Sequence, residues 1–307
     1  MDAFIFPGQG SQTVGMGLEL AKAFPTARAV FAEADEVLGF SLSNLAWHGP
    51  EEELNDTVNT QPALLVHSIA ALRVLAEMQP GLRPAFVAGH SLGEISALVC
   101  AGALRYPAAL RLVRRRGELM KEAGARAPGG MAAVLGLEIA QLEEICAKAS
   151  VGDDRIQVAN DNCPGQVVVS GAASALERFA PLAEQAGGRK VVRLAVSIAA
   201  HSYLMSTAEE AFGQALKDVS IVPAGVPVVG NVDAAPHLLA EELEQDLKAQ
   251  LTSRVRWTES VQFLLSGGVK RFLEIGTGSV LINLVKRISR ESTRFQLGEP
   301  GDFDRLA

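Results

Sequence analysis

Gly89-His90-Ser91-Leu92-Gly93 decides how the rest of this chain is read. The run 86–88 before it is short and apolar, as a buried strand is, and 93–101 after it reads as a helix. A serine on a sharp turn between strand and helix is a nucleophile elbow. The glycines on either side relieve backbone crowding, and the turn lifts the hydroxyl over the sheet edge. The helix start behind it supplies free N–H groups and a positive dipole end for a developing oxyanion. Five residues alone would also fit a glycine-rich turn with a capping serine. The strand–turn–helix setting favours the nucleophile.

Short apolar runs alternate with longer helical stretches on both sides of the elbow, which predicts an α/β fold with a largely parallel sheet. Residues 3–6 read as a strand, followed by the loop Pro7-Gly8-Gln9-Gly10-Ser11-Gln12. Helices fill most of 16–38, and 60–77 reads as a buried helix. Residues 107–123 form another, with Pro107 at its first position. In the middle, 131–135, 139–149, 156–159, 167–169, 173–186 and 190–196 run β, α, β, β, α, β, the ferredoxin-like order. A turn is expected at 162–165, and Pro181 should kink or break the second of these helices. We read 130–196 as a ferredoxin-like subdomain inserted into a catalytic domain made of 1–129 and 197–307. Beyond it, strands are expected at 227–229 and 271–275, and helices at 238–251, 257–265 and from 280. The polar tail from 291 should be loose.

Bulk properties narrow the function. The chain has 307 residues, of which 48% are hydrophobic, enough for a large core and too many for disorder. Its net charge of −7 argues against nucleic acid as a partner. Cys100, Cys146 and Cys163 are far apart and lack metal-ligand spacing, as expected of reduced core thiols. No signal peptide and no long apolar span is recognisable, so the cytoplasm is the expected compartment and the membrane is not an expected partner.

A serine nucleophile needs a base. The five histidines are His48, His67, His90, His201 and His237. His90 adjoins the nucleophile and should point away. His67 lies in an apolar helix, where a satisfied core histidine is the commoner case. His48 and His237 sit in polar, loop-like segments. His201 follows small residues, Ser197-Ile198-Ala199-Ala200, that leave room for a substrate, and by elimination it is the best base. The loop at Gln9 lacks the third glycine of a dinucleotide fingerprint and the Gly-Lys pair of a P-loop. It reads either as a helix-entry turn or as a second oxyanion donor.

Arg116 is the sharpest physical clue. Ala109, Leu112, Val113, Leu119, Met120 and Ala123 mark the inward stripe of their helix, and Arg116 falls on it. A buried guanidinium is costly unless an anion meets it, and its fork suits a carboxylate. Either a structural Asp or Glu meets Arg116, or a substrate carboxylate does.

These residues resemble the malonyl-CoA:acyl carrier protein transacylases of bacterial fatty-acid synthesis, and the related polyketide acyltransferase domains, from Phe4 to about Ile288. The likeness is carried by Phe6-Pro7-Gly8-Gln9-Gly10-Ser11-Gln12, Thr60-Gln61-Pro62-Ala63, Gly89-His90-Ser91-Leu92-Gly93-Glu94 and Arg116-Gly117. Further along, Pro164-Gly165-Gln166-Val167-Val168, Val196-Ser197, Ala200-His201-Ser202, Gln250-Leu251 and Trp257-Thr258 continue it. The resemblance implies an α/β-hydrolase-like large domain beside the ferredoxin-like one. It implies that Ser91 is acylated, that His201 moves its proton, and that the N–H groups of Leu92 and Gln9 form the oxyanion hole. Arg116 would clamp the malonyl carboxylate, and the main-chain carbonyl of Gln250, rather than an acid, would orient His201. Malonyl-CoA and acyl carrier protein would be the partners of a ping-pong enzyme, a monomer by family habit. No metal or cofactor is required, because the thioester is already activated. Ile198-Ala199-Ala200-His201 departs from the motifs usual around the base, which opens the choice between malonyl and a branched extender.

Two other readings share these residues. A serine thioesterase has the elbow but passes the acyl group to water, and usually has an acid between serine and histidine. A carrier-docking module would keep the fold without the chemistry. Arg111, Arg114, Arg189, Lys190 and Arg193 are candidate contacts for an acidic carrier by sign alone.

Overall fold

The computed structural model describes residues 1–196 and 198–306. Ser197, which opens the expected second part of the catalytic domain and belongs to the family-like Val196-Ser197 pair, lies outside the described residues.

Among the described residues ten strands form two sheets. They are β1 (Asp2–Phe6), β2 (Phe86–Gly89), β3 (Gly129–Leu135), β4 (Ile156–Cys163), β5 (Gln166–Ala172), β6 (Lys190–Arg193), β7 (Val228–Val229), β8 (Pro236–His237), β9 (Arg271–Ile275) and β10 (Thr293–Leu297). The first sheet runs β10-β9-β1-β2-β7-β8. All its pairs are parallel except β7 with β8. Ala3, Phe4, Ile5 and Phe6 are buried, as befits a central strand covered on both faces. The second sheet runs β4-β5-β3-β6 and is antiparallel throughout. With the helices Ile139–Ala149 and Ala173–Gln185 it makes the expected βαββαβ order and has its own apolar core around Val134, Leu142, Val169 and Phe179.

Helix Thr57–Met78 is buried over most of its length and contains Pro62. Proline has no N–H to give to the carbonyl four residues back. Arg114 supplies the missing donor: its Nη1 lies 3.3 Å from the Val58 oxygen. Arg114 also bonds Asn59 and Glu118, so this candidate for a carrier contact is committed within the fold. Arg116 is buried on helix Tyr106–Arg126, on the stripe read from the sequence.

Several expectations need correcting. Pro107 is the second residue of its helix, because Tyr106 begins it. Pro181 does not break Ala173–Gln185: the carbonyl it leaves free belongs to exposed Glu177, where water can serve it. β4 continues to Cys163, leaving only Pro164 and Gly165 for the turn, and β6 ends at Arg193 rather than 196. The tail from 291 is not loose. β10 extends the parallel sheet beside β9, and Phe303 is buried edge-on against Phe24, their ring centroids 6.0 Å apart. Polar residues on the outer side of an edge strand concealed the inward Leu297.

Among the described residues no helix is long and apolar enough to cross a membrane. Buried Glu274 on β9 accepts from the N–H groups of Leu281 and Ile282 at 3.0 and 2.9 Å. This carboxyl seats the start of helix Val280–Ile288, whose Leu281 and Leu284 wall the cavity described next.

Candidate active site

Ser91 sits at φ 51°, a left-handed conformation that costs a non-glycine residue about 1–3 kcal/mol. Its flanking glycines are dictated by packing. A Cβ at Gly89 would stand 1.9 Å from the carbonyl carbon of Gly93, and one at Gly93 would stand 2.1 Å from the Phe6 oxygen. β1, β2 and the elbow helix Gly93–Cys100 therefore press together, and only glycine permits it.

Asn231 fastens the strained turn. Its Oδ1 accepts from the Ser91 N–H at 2.7 Å, and its Nδ2 donates to the Gly89 carbonyl at 2.7 Å. Asn231 is itself held by its own N–H, 3.1 Å from Asp246 Oδ2. Nothing in a lone asparagine after β7 announces this in the sequence. Replacing it with alanine leaves the buried Gly89 carbonyl and the part-buried Ser91 N–H without these partners. Urea unfolding of Asn231→Ala is expected to show a loss of about 2–4 kcal/mol, and acylation of Ser91 to slow at least roughly tenfold. Unchanged acylation would dismiss Asn231 as the fastener.

The Ser91 hydroxyl meets two partners: His201 Nε2 at 2.9 Å and Arg116 Nη2 at 3.2 Å. His201 also has a left-handed backbone, φ 58°. Its Nδ1 lies 2.8 Å from the main-chain oxygen of Gln250. A carbonyl can only accept, so Nδ1 carries the proton, Nε2 offers its lone pair, and the serine O–H donates to it. Gln250 caps the C-terminus of helix Ala240–Ala249. Carbonyls there lack intrahelical partners and sit at the negative end of the dipole. That oxygen can therefore orient the ring and steady an imidazolium, the task an aspartate does elsewhere. The other histidines are placed apart from the hydroxyl. His90 bonds Asn162, His67 bonds the Gly298 oxygen, His237 bonds Asp233, and His48 ends helix Leu42–His48.

Arg116 is only 2% exposed, and no carboxylate lies within salt-bridge distance of it among the described residues. Amide oxygens hold it instead: Gln61 Oε1 at 2.8 Å and Gln250 Oε1 at 2.8 Å. Burial lowers its pKa to about 10, so at neutral pH it is still a cation, and no paired anion meets it among the described residues. Burial first, and then the Arg116 charge, push His201 down to about 3, so the ring is neutral at pH 7. Gln61 was missed as a site residue, although a polar residue inside an apolar helix was the signal that could have found it.

A cavity of about 240 Å³ opens over these groups. The loop after β1, the elbow and Arg116 line one side, and Met131, Asn160 and Val168 of the second sheet line the other. No carboxylate is among its lining residues. The N–H groups of Gln9 and Leu92, both at the cavity, donate to no protein acceptor among the described residues. A neutral base on a serine, free N–H donors and an unmatched cation together suit transfer of an acyl group that bears an anion.

The acyl transferase domain family matches residues 3–297. The chain belongs to that family. A Bacillus subtilis (strain 168) relative described as malonyl CoA-acyl carrier protein transacylase is 45% identical over 298 residues, 97% of this chain and 93% of that one. The Escherichia coli K12 protein of the same description is 43% identical, covering 97% and 96%. Among solved structures, the malonyl CoA-acyl carrier protein transacylase of Coxiella burnetii superposes with a TM-score of 0.96 at 39% identity, over 99% of this chain and 96% of that one. A malonyl-transacylase in complex with its type II PKS acyl-carrier protein gives 0.96 at 42% identity, covering 99% and 97%. The protein is an acyltransferase, with the α/β fold of that family: a mostly parallel sheet and a separate antiparallel one.

Proposed function

We propose that this acyltransferase moves a malonyl group from malonyl-CoA to the phosphopantetheine thiol of an acyl carrier protein for fatty-acid synthesis, through an ester on Ser91. The observation that carries the reading is Arg116: a buried guanidinium without a carboxylate partner among the described residues, 3.2 Å from the Ser91 hydroxyl. A malonyl carboxylate would supply the missing anion and place the thioester over the nucleophile.

His201 Nε2 takes the Ser91 proton as Oγ attacks the thioester carbonyl. The oxyanion is received by the N–H groups of Leu92 and Gln9. As the C–S bond breaks, the imidazolium returns its proton to the departing sulfur, and coenzyme A leaves. The carrier thiol then gives its proton to His201, its sulfur attacks the ester carbonyl, and Ser91 regains its proton as the C–O bond breaks. No step calls for a metal or cofactor. The large domain is α/β-hydrolase-like and the inserted one ferredoxin-like, with the cavity between them. We place the protein in the cytoplasm as a monomer. The structural likeness to a malonyl-transacylase bound to a polyketide carrier supports a second carrier class for the same chemistry.

Brief exposure to malonyl-CoA should give a malonyl adduct by intact mass, absent in Ser91→Ala. No adduct on the unmodified protein would overturn the proposal. Rapid carrier-free hydrolysis of malonyl-CoA would replace it with a thioesterase.

A further inference from the structure

Beneath the elbow lies a carboxyl that the mechanism does not use. Glu94 is in the first turn of helix Gly93–Cys100 and is 1% exposed. Its Oε2 lies 2.7 Å from Gln250 Nε2. That same amide nitrogen is 3.1 Å from the Ser91 main-chain oxygen, and the amide oxygen is 2.8 Å from Arg116 Nη2.

The direction of this amide follows from what each neighbour can do. A guanidinium only donates, so the amide oxygen must face Arg116. The NH2 group then faces Ser91 O and Glu94 Oε2, both acceptors. Turned over, the amide would set N–H against N–H and oxygen against oxygen. Gln250 is also the residue whose main-chain oxygen orients His201. One residue thus serves the guanidinium with its side chain and the base with its backbone, and Glu94 is the side-chain acceptor that keeps it in place.

We infer that Glu94 is a positioning residue for both halves of the site, fixing the Gln250 amide in the one orientation that supports Arg116 and the Gln250–His201 bond together. The inference rests on the malonyl transfer proposed above. The surroundings of Glu94 favour its neutral form. Burial first, and then the Asp246 charge within hydrogen-bonding reach of it, hold its pKa well above the usual carboxylate range. A carboxyl oxygen without a proton accepts in either charge state, so Oε2 serves Gln250 Nε2 at 2.7 Å. A counter-ion beside Arg116 would compete with a substrate carboxylate. A neutral acceptor acting through an amide holds the guanidinium without neutralising it.

Reach should therefore matter more than charge. Glu94→Gln keeps the length and presents an oxygen to Gln250 and an N–H to Asp246. Glu94→Asp keeps the acid but falls one methylene short. The rate of Ser91 acylation is followed by quenched-flow mass spectrometry with malonyl-CoA and with acetyl-CoA. Glu94→Gln is expected to stay within about threefold of the unmodified protein. Glu94→Asp is expected to lose about 10- to 100-fold with malonyl-CoA and distinctly less with acetyl-CoA. In a Gln250→Met background, Glu94→Asp should add almost nothing. If Glu94→Asp outperforms Glu94→Gln, if both acyl groups lose equally, or if the two changes add, the inference is overturned while the transfer reading stands. An unmodified protein that takes no malonyl group would overturn both.

Discussion

Arg116→Ala should lose malonyl transfer by about 30-fold to a few thousand-fold in kcat/KM and keep or improve acetyl transfer. Truncating one partner of a desolvated charge pair costs about 2–5 kcal/mol, which sets that range. The acetyl side follows from the shared hydroxyl. Arg116 Nη2 and His201 Nε2 both meet Ser91 Oγ, so an unneutralised guanidinium depresses the base beside it. A malonyl carboxylate seated on Arg116 would relieve that repulsion, whereas an acetyl group would leave it in place. Removing the charge therefore helps the base only for the neutral acyl group. Some of the variant will be less stable, because Gln61 and Gln250 each lose a donor. The ratio of the two acyl rates within one preparation cancels the fraction folded. Equal losses with malonyl-CoA and acetyl-CoA would sink the clamp.

His67→Gln and Glu274→Gln should change stability with pH in opposite directions, each by about 3 kcal/mol between pH 8 and pH 4.5. Burial lowers His67 from 6.5 to about 4, so the folded protein refuses a proton that the unfolded chain accepts. Its contribution is present above pH 6.5 and is lost as pH falls toward 4. Burial raises Glu274 from 4.5 to about 7, against the opposing bonds from Ile282 and Leu281. Its contribution is present below pH 4.5 and is lost as pH rises through 7. Each variant removes one dependence, so His67→Gln gains on the unmodified protein in acid and Glu274→Gln gains at pH 8. Urea titrations at the two pH values measure both. A gap that does not move with pH would show that the side chain is not buried in the charge state assigned to it.

The elbow was legible because a nucleophile at a strand–helix turn requires glycines in fixed places, and the close backbone approach at Gly89 and Gly93 supplies the steric reason. Arg116 was legible because a cation interrupts an apolar stripe, although the stripe alone left open whether a protein acid or a substrate would meet it. Among the described residues it is amides that hold it. The βαββαβ order was legible from periodicity, while strand ends were not, because β4 passes through Asn160 and Asn162 without apolar alternation. Gln250 emerged only from the family resemblance, since a main-chain acceptor leaves no trace in residue type. Asn231, Glu94 and Asp246 were missed as parts of the site. Their work is to hold other residues, and each looks like ordinary polar punctuation until the chain is folded.

That main-chain acceptor has an evolutionary side. A relay built from serine, histidine and aspartate can be broken by a point mutation at any of three codons. Here the atom that aims His201 is a peptide oxygen, present whatever residue stands at position 250. Substitution there alters the side-chain contacts to Arg116 and Glu94 but cannot delete the acceptor. Losing it takes a change of length or a break in helix Ala240–Ala249, an insertion or deletion rather than a missense change. A saturation mutagenesis map of the protein should therefore show intolerance to every substitution at Ser91 and His201, and graded tolerance at 250.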